Sequence, residues 1–150
     1  MLRSLLDRLI DLAPDNRSEP VQQRASYDQV RTGVERDLEN LLNTKCFVGE
    51  LSETLPQLGR SLFTYGLSDY TAKNPSSPSV RGELRQEIER MVHQFEPRLI
   101  NVSVRVEAPT GTERRVRFTI AALLRVDDEA QPVSFDAYYD SMRCEYRIKN

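Results

Sequence analysis

Few side chains in this sequence have the type and spacing for chemistry. Glu35 with Glu39, and Glu83 with Glu87, stand four residues apart. On a helix that spacing puts Cβ atoms about 5–6 Å from each other. Two carboxylates roughly 5 to 10 Å apart are what glycoside hydrolysis requires. The acid of such a pair must also hold its proton above the pKa of its partner. Neither pair has a neighbour that would do this, and both are predicted on solvent-facing helix flanks. The single histidine, His93, has no Cys, Asp or Glu at ligand spacing, which argues against a metal centre. Cys46 and Cys144 have neither metal nor redox spacing and read as reduced thiols. No glycine-rich phosphate loop follows a strand, and no nucleophile elbow is present. Arg105, Arg115, Arg117 and Arg125 share a strand face that could attract RNA, but no aromatic residue interleaves with them to stack bases. These residues predict no catalysis, no cofactor, no metal and no nucleic-acid partner.

The elements that must carry these residues follow from periodicity. Leu84, Ile88, Met91, Val92 and Phe95 recur at steps of three and four, one apolar stripe of a helix. Pro97 disfavours helical geometry in the residue before it, so this helix should end near Phe95. Ser79 can cap its start, with Glu83 near the positive end. Ile100, Val102, Val104 and Val106 then alternate with polar residues, one face buried and one wet. Pro109 to Thr112 is a hairpin signal. Val116, Phe118, Ile120, Ala122, Leu124 and Val126 mark a second strand. A third run alternates Val133, Phe135, Ala137 and Tyr139, then changes parity at Asp140-Ser141, which requires a bulge or tight turn.

Nearer the N-terminus, Ser26 and Gln29 form a capping box for a helix running to about Thr44. Val30, Val34, Leu38, Leu41 and Leu42 make its core stripe. Gly33, Asp37, Asn40 and Thr44 make a small polar stripe beside it. Asp37 lies at the edge of the apolar arc, where a charge is costly unless paired. Glu35, Arg36 and Glu39 read as a solvated face. Phe47-Val48 reads as a short strand or extended link, and Gly66 as a helix C-cap.

Residues 1–12 form a short amphipathic helix with Leu2, Leu5, Leu6 and Leu9 on one face, followed by a linker to residue 24. A dozen residues are marginal as an isolated helix, so this one must dock, on its own domain or on a partner. The division is thus 1–24 as docking helix and linker, and 25–150 as one domain. No apolar run approaches the ~18 residues needed to span a bilayer, so direct membrane insertion is not expected. The net charge of −2 gives no pull toward polyanions. The predicted class is α+β: a small antiparallel meander of three to four strands packed on a long helix, with further N-terminal helices.

Three stretches carry a resemblance. Val34 to Lys45 is similar to the "RDLExLLNTR" segment of the baseplate wedge family of contractile tail machines, with Lys45 where Arg is common. Phe95-Glu96-Pro97-Arg98-Leu99 resembles that family's "EPR" motif, and Ser61 to Asp69 fits its middle segment. Within the family the resemblance is to the type VI secretion branch (TssE-like subunits). It implies a non-catalytic structural subunit in the bacterial cytoplasm, in a baseplate at the inner face of the cytoplasmic membrane. The implied partners are TssF and TssG, TssK through the wedge, and the sheath subunits TssB/TssC, whose polymerisation it would initiate. Peptidoglycan hydrolysis, which relatives have been labelled with, and an unrelated α+β adaptor are the alternatives.

Two expectations combine residues and resemblance. A free edge of the sheet, in the Val133–Ile148 region or on the first strand, would template an incoming strand. Glu96, Pro97 and Arg98, with Asp37 and Asn40 nearby, would either meet wedge partners or form an internal brace of Arg98 onto Asp37.

Overall fold

A computed structural model describes residues 25–46, 57–70, 73–74, 76–108, 116–127, 129–140 and 142–149. Residues 1–24, with Leu2, Leu5, Leu6 and Leu9, and the Phe47-Val48 link lie outside them.

Helix α1, Tyr27–Asn43, starts on the expected capping box. Gln29 N–H donates to Ser26 Oγ at 3.3 Å and Ser26 N–H donates to Gln29 Oε1 at 3.1 Å. It ends where Thr44 turns extended, with the Thr44 hydroxyl donating back to Asn40 O at 2.7 Å. Two short 3₁₀ turns follow, Leu58–Arg60 and Leu62–Thr64.

Helix α2, Pro78–Phe95, stops at Phe95 as Pro97 dictates. Its start differs from the expectation. Ser77 is the N-cap and Pro78 takes the first helical position, because proline's missing N–H costs nothing there. Ser79 is already inside the helix.

Four strands make an antiparallel sheet in the order β1-β2-β3-β4: Leu99–Val106, Arg117–Val126, Glu129–Asp140 and Glu145–Lys149. The parity change after Asp140 is a tight turn. Asp140 Oδ1 accepts from Met142 N–H at 2.9 Å, and Cys144 takes φ 55°. The parity of β1 is a correction. Asn101 has φ 55° and the register slips between Ile100 and Ser103. Leu99, paired with Leu124, therefore faces inward with Val104, whereas Ile100, paired with Leu123, lies on the outer face. Asparagine tolerates the left-handed conformation such a bulge needs.

Both helices cover one face of the sheet. Leu38, Ile88, Met91, Leu99, Phe118, Ile120, Leu124 and Phe135 are essentially inaccessible and form one core. Each contributes about 1.5–3 kcal/mol by leaving water. The opposite face carries Arg105, Arg117 and Arg125, all exposed.

Candidate functional site: a braced corner and two sheet edges

The corner between α2 and β1 is pinned by Pro97, and its two charges turn inward. Arg98 grips Glu96 with two nitrogens, Nε to Oε1 at 2.6 Å and Nη2 to Oε2. The same Nη2 reaches Asp37 Oδ2 on α1. Arg36 closes the far side, Nη2 to Asp37 Oδ1 at 3.0 Å. Two carboxylates and two guanidinium groups thus neutralise one another across the seam of α1 and the corner. Glu96 is only 4% exposed, the one charged residue among the described residues in the buried class. Burial pulls the Arg98 pKa down, but the hydrogen bonds and charges of Glu96 and Asp37 outweigh it and the net shift is upward. The brace forms, and Asp37 has the partner its place at the apolar edge required. Pro97 and Asn40 are the exposed members of the group.

The segment 61–69 meets the end of α1. Leu67 N–H donates to Thr44 O at 2.8 Å and Cys46 N–H to Leu67 O at 3.1 Å, a short parallel bridge. Gly66 sits against Thr44 with φ 111°, so its role is close approach as well as ending a turn. Lys45 bonds Asp69 at 2.9 Å, an exposed pair with one contact where an arginine could fork. Tyr65 meets Phe95 edge-on, ring centroids 5.1 Å apart. All three stretches that carry the family resemblance therefore converge on the flanks of α1.

Three of the glutamates weighed as catalytic pairs are engaged by structural partners, and the fourth, Glu35, expected to face solvent, has its Oε1 buried with no hydrogen-bond partner among the described residues. Glu87 accepts from the Ser68 N–H at 2.9 Å and the Tyr70 hydroxyl at 2.6 Å, and Glu83 pairs with Lys73 at 2.9 Å. Glu39, expected on a solvated face, accepts from Ile148 N–H at 2.9 Å. His93 is exposed, and Cys46 and Cys144 are not joined in a disulfide. Among the described residues no group of three His, Cys, Asp or Glu could hold a metal ion.

The edges of the sheet are finished differently. On β4, the outward backbone groups of Tyr146 and Ile148 are taken by α1. Tyr146 N–H donates to Asn43 Oδ1 at 2.6 Å, Asn43 Nδ2 donates to Tyr146 O at 2.9 Å, and Glu39 holds Ile148. Glu39 and Asn43 are one helical turn apart, about 6 Å, close to the ~6.6 Å between alternate strand residues. Helix α1 thus stands in for a fifth strand. On β1, among the described residues, one side chain reaches the outward groups: Val104 N–H donates to Glu89 Oε1 of α2 at 3.0 Å. β3 is paired with β2 along most of its length but with β4 only from Asp136 to Asp140, so among the described residues the outer side of Glu129–Phe135 is unpaired; Pro132, whose missing N–H falls on that side, interrupts it. Sequence reasoning missed Glu39, Asn43 and Glu89. The one available signal was the i, i+4 step of Glu39 and Asn43 flanking the apolar stripe.

Beside the β4 edge, Tyr146 packs edge-on against Phe118 and Tyr139, and burial, then the neighbouring Tyr139, pushes its pKa up to about 12. Tyr70 shifts the same way through burial and its bond to Glu87. A phenol whose folded pKa is raised contributes stability that is intact below its unfolded value of 10 and lost as pH climbs through the folded value. Urea midpoints should therefore fall between pH 10 and 12, each such tyrosine adding up to ~1.4 kcal/mol per pH unit. Tyr146→Phe should remove its share of that slope, and an unchanged slope would show that the ring is not protonated by burial.

Comparison with known proteins gives two findings. The family described as baseplate wedge protein gp25 matches residues 28–129. A solved chain from "The baseplate complex from the type VI secretion system" superposes with a TM-score of 0.52 at 20% identity, covering 76% of this chain and 97% of that one, which is a likeness of fold. No curated protein matches.

Proposed function

Because the chain belongs to the baseplate wedge protein gp25 family, a family of baseplate structural components, we propose that it is the wedge subunit of a type VI secretion baseplate. It works by its backbone and surface rather than by catalysis. In this reading it contacts TssF and TssG, reaches TssK through the wedge, and offers the platform on which the TssB/TssC sheath starts. No helix among the described residues is long and apolar enough to cross a membrane, in keeping with a subunit that joins a cytoplasmic assembly through other proteins.

The observation that carries the reading is the unequal finish of the two edges. A sheet recruits a strand through unpaired backbone groups. β4 is closed by Glu39 and Asn43, and the unpaired stretch of β3 is interrupted by Pro132, which cannot donate on its outer side, so strand addition falls to β1, from Val102 to Val106. Pro97 and Asn40, exposed at the braced corner, are proposed as contacts for neighbouring wedge subunits, and the Leu2, Leu5, Leu6 and Leu9 stripe as a docking helix. The use of Glu87 and Glu39 as backbone and hydroxyl acceptors, and of Glu83 in an ion pair with Lys73, speaks against the hydrolase alternative.

Val106 is the residue to change. Arg105 and Glu107 point their backbone groups at β2, so the N–H of Val106 points outward. Proline is tolerated on an edge strand when its missing N–H faces out. Val106→Pro should melt within about 2–4 °C of the parent, still co-purify with TssF and TssG, and fail to start sheaths. Normal sheath growth in this variant would remove β1 as the platform. Deleting residues 1–20 in the same co-purification tests the N-terminal stripe: retained TssF and TssG would assign it to the chain's own domain.

A further inference from the structure

We infer that Glu89 is a removable plug on the β1 edge, and that this edge takes a partner strand apolar on its helix-facing side and acidic on the other. The inference rests on the reading of β1 as the platform and adds how that platform is kept shut. Its basis is the contrast between the two caps. On β4 the cap is a short, stiff Asn43 amide bonded to both the N–H and the C=O of Tyr146, with Glu39 beside it. Removing it means breaking three bonds and moving α1, whose last turn is also tied to Leu67 through Thr44. On β1 the cap is a single carboxylate on a long, flexible side chain, making one bond to Val104 N–H at 3.0 Å. Helix α2 need not move for it to leave.

A place for the displaced carboxylate exists. Arg85, one turn earlier on α2, already bonds both oxygens of Glu89, Nη1 to Oε1 at 3.2 Å and to Oε2 at 3.0 Å. Swinging off Val104 therefore leaves the charge on Arg85, not bare. A Val104 N–H bonded to a carboxylate is also a satisfied donor, which keeps the edge from pairing indiscriminately.

The edge itself specifies the guest. The bulge at Asn101 bends the near end of β1 and limits a regular ladder to Val102–Val106. On the helix-facing side an added strand would lie beside Val104 and Val106, which asks for apolar side chains. On the other side, within Val102–Val106, it would lie beside exposed Arg105, the charged residue of that face; Glu107, opposite Arg117, lies beyond the end of this stretch. Opposite charges across a strand pair add about 0.2–1 kcal/mol, and like charges subtract.

The test uses the full chain in its secretion system, with Glu89→Ala, Glu89→Gln and the Glu89→Ala/Val106→Pro double variant. On purified protein, Glu89→Ala should speed exchange of the Val104 amide about fivefold, the equivalent of one hydrogen bond of about 1 kcal/mol, with Arg105 unchanged. In cells it should start sheaths several-fold faster. Glu89→Gln, which keeps an acceptor oxygen at the same reach, should stay near the parent rate. The double variant should start none. Unchanged Val104 exchange in Glu89→Ala, or a parental starting rate in a folded Glu89→Ala variant, overturns the plug. If sheath growth instead survives Val106→Pro alone, the β1 reading itself fails, and the two failures are told apart.

Discussion

Arg98→Ala should lower stability by on the order of 3–5 kcal/mol, the range for removing one partner of a buried ion pair, or roughly 10 °C of melting temperature for a chain of this size. The cost comes less from the lost bonds than from what they leave behind. Glu96 is 4% exposed and its carboxylate is held by the two nitrogens of Arg98. Without them a charge stays in a cavity with no counter-ion. Asp37 fares better, being more exposed and still bonded to Arg36. Arg98→Lys should recover only part of the loss, because an ammonium cannot fork onto Glu96 and reach Asp37 together. The informative control removes all the charge at once. Asp37→Leu, Glu96→Met and Arg98→Met together should be far less damaging than Arg98→Ala alone, because no charge is left buried. If the triple variant is as unstable as the single one, geometry rather than desolvation sets the cost. Loss of TssF and TssG in Arg98→Ala alone would therefore not locate an interface. The test for a contact at the corner is a change at exposed Pro97 or Asn40 that leaves the melting temperature alone.

What could be read in advance follows how local each cause is. The capping box at Ser26, the end of α2 before Pro97 and the inward rows of β2 and β3 are written in runs of adjacent residues. Short connections then force the meander. Ser79 was misplaced by two residues because Pro78 favours the first helical position, and proline's preference outranks a second serine. Ile100 was assigned to the wrong face because a bulge breaks the alternation without changing the residue types; Asn101 was the only sign of it. The brace was half legible, since a charge at the edge of an apolar arc demands a partner, but which of two roles Arg98 takes depends on where two distant segments meet. The edge caps were invisible for the same reason in stronger form. Glu39 and Ile148 are 109 residues apart, and a glutamate that bonds a strand edge looks the same in sequence as one in water.

The second large effect should come from a single methyl group. A Cβ on Gly66 would stand 2.2 Å from Thr44 O and 2.7 Å from Thr44 C, both backbone atoms at the end of α1. Neither can yield without disturbing the helix terminus, and φ 111° is itself a conformation that L side chains rarely adopt. The segment must therefore lift away. With it go the bonds of Leu67 N–H to Thr44 O and Cys46 N–H to Leu67 O, and the burial of Leu67, 2% exposed. Two hydrogen bonds at about 1 kcal/mol each and a leucine at about 1.5–3 put Gly66→Ala near 3–5 kcal/mol. Gly82 supplies the opposite case. It lies inside α2, and a Cβ there would meet nothing within 4 Å. Gly82→Ala should raise stability by roughly 0.5–1 kcal/mol, since alanine loses less backbone freedom on entering a helix. The same substitution at two glycines is thus expected to move denaturant midpoints in opposite directions. A mild Gly66→Ala would mean that the 61–69 segment is not seated on α1, and the convergence of the three family segments there would lose its physical basis.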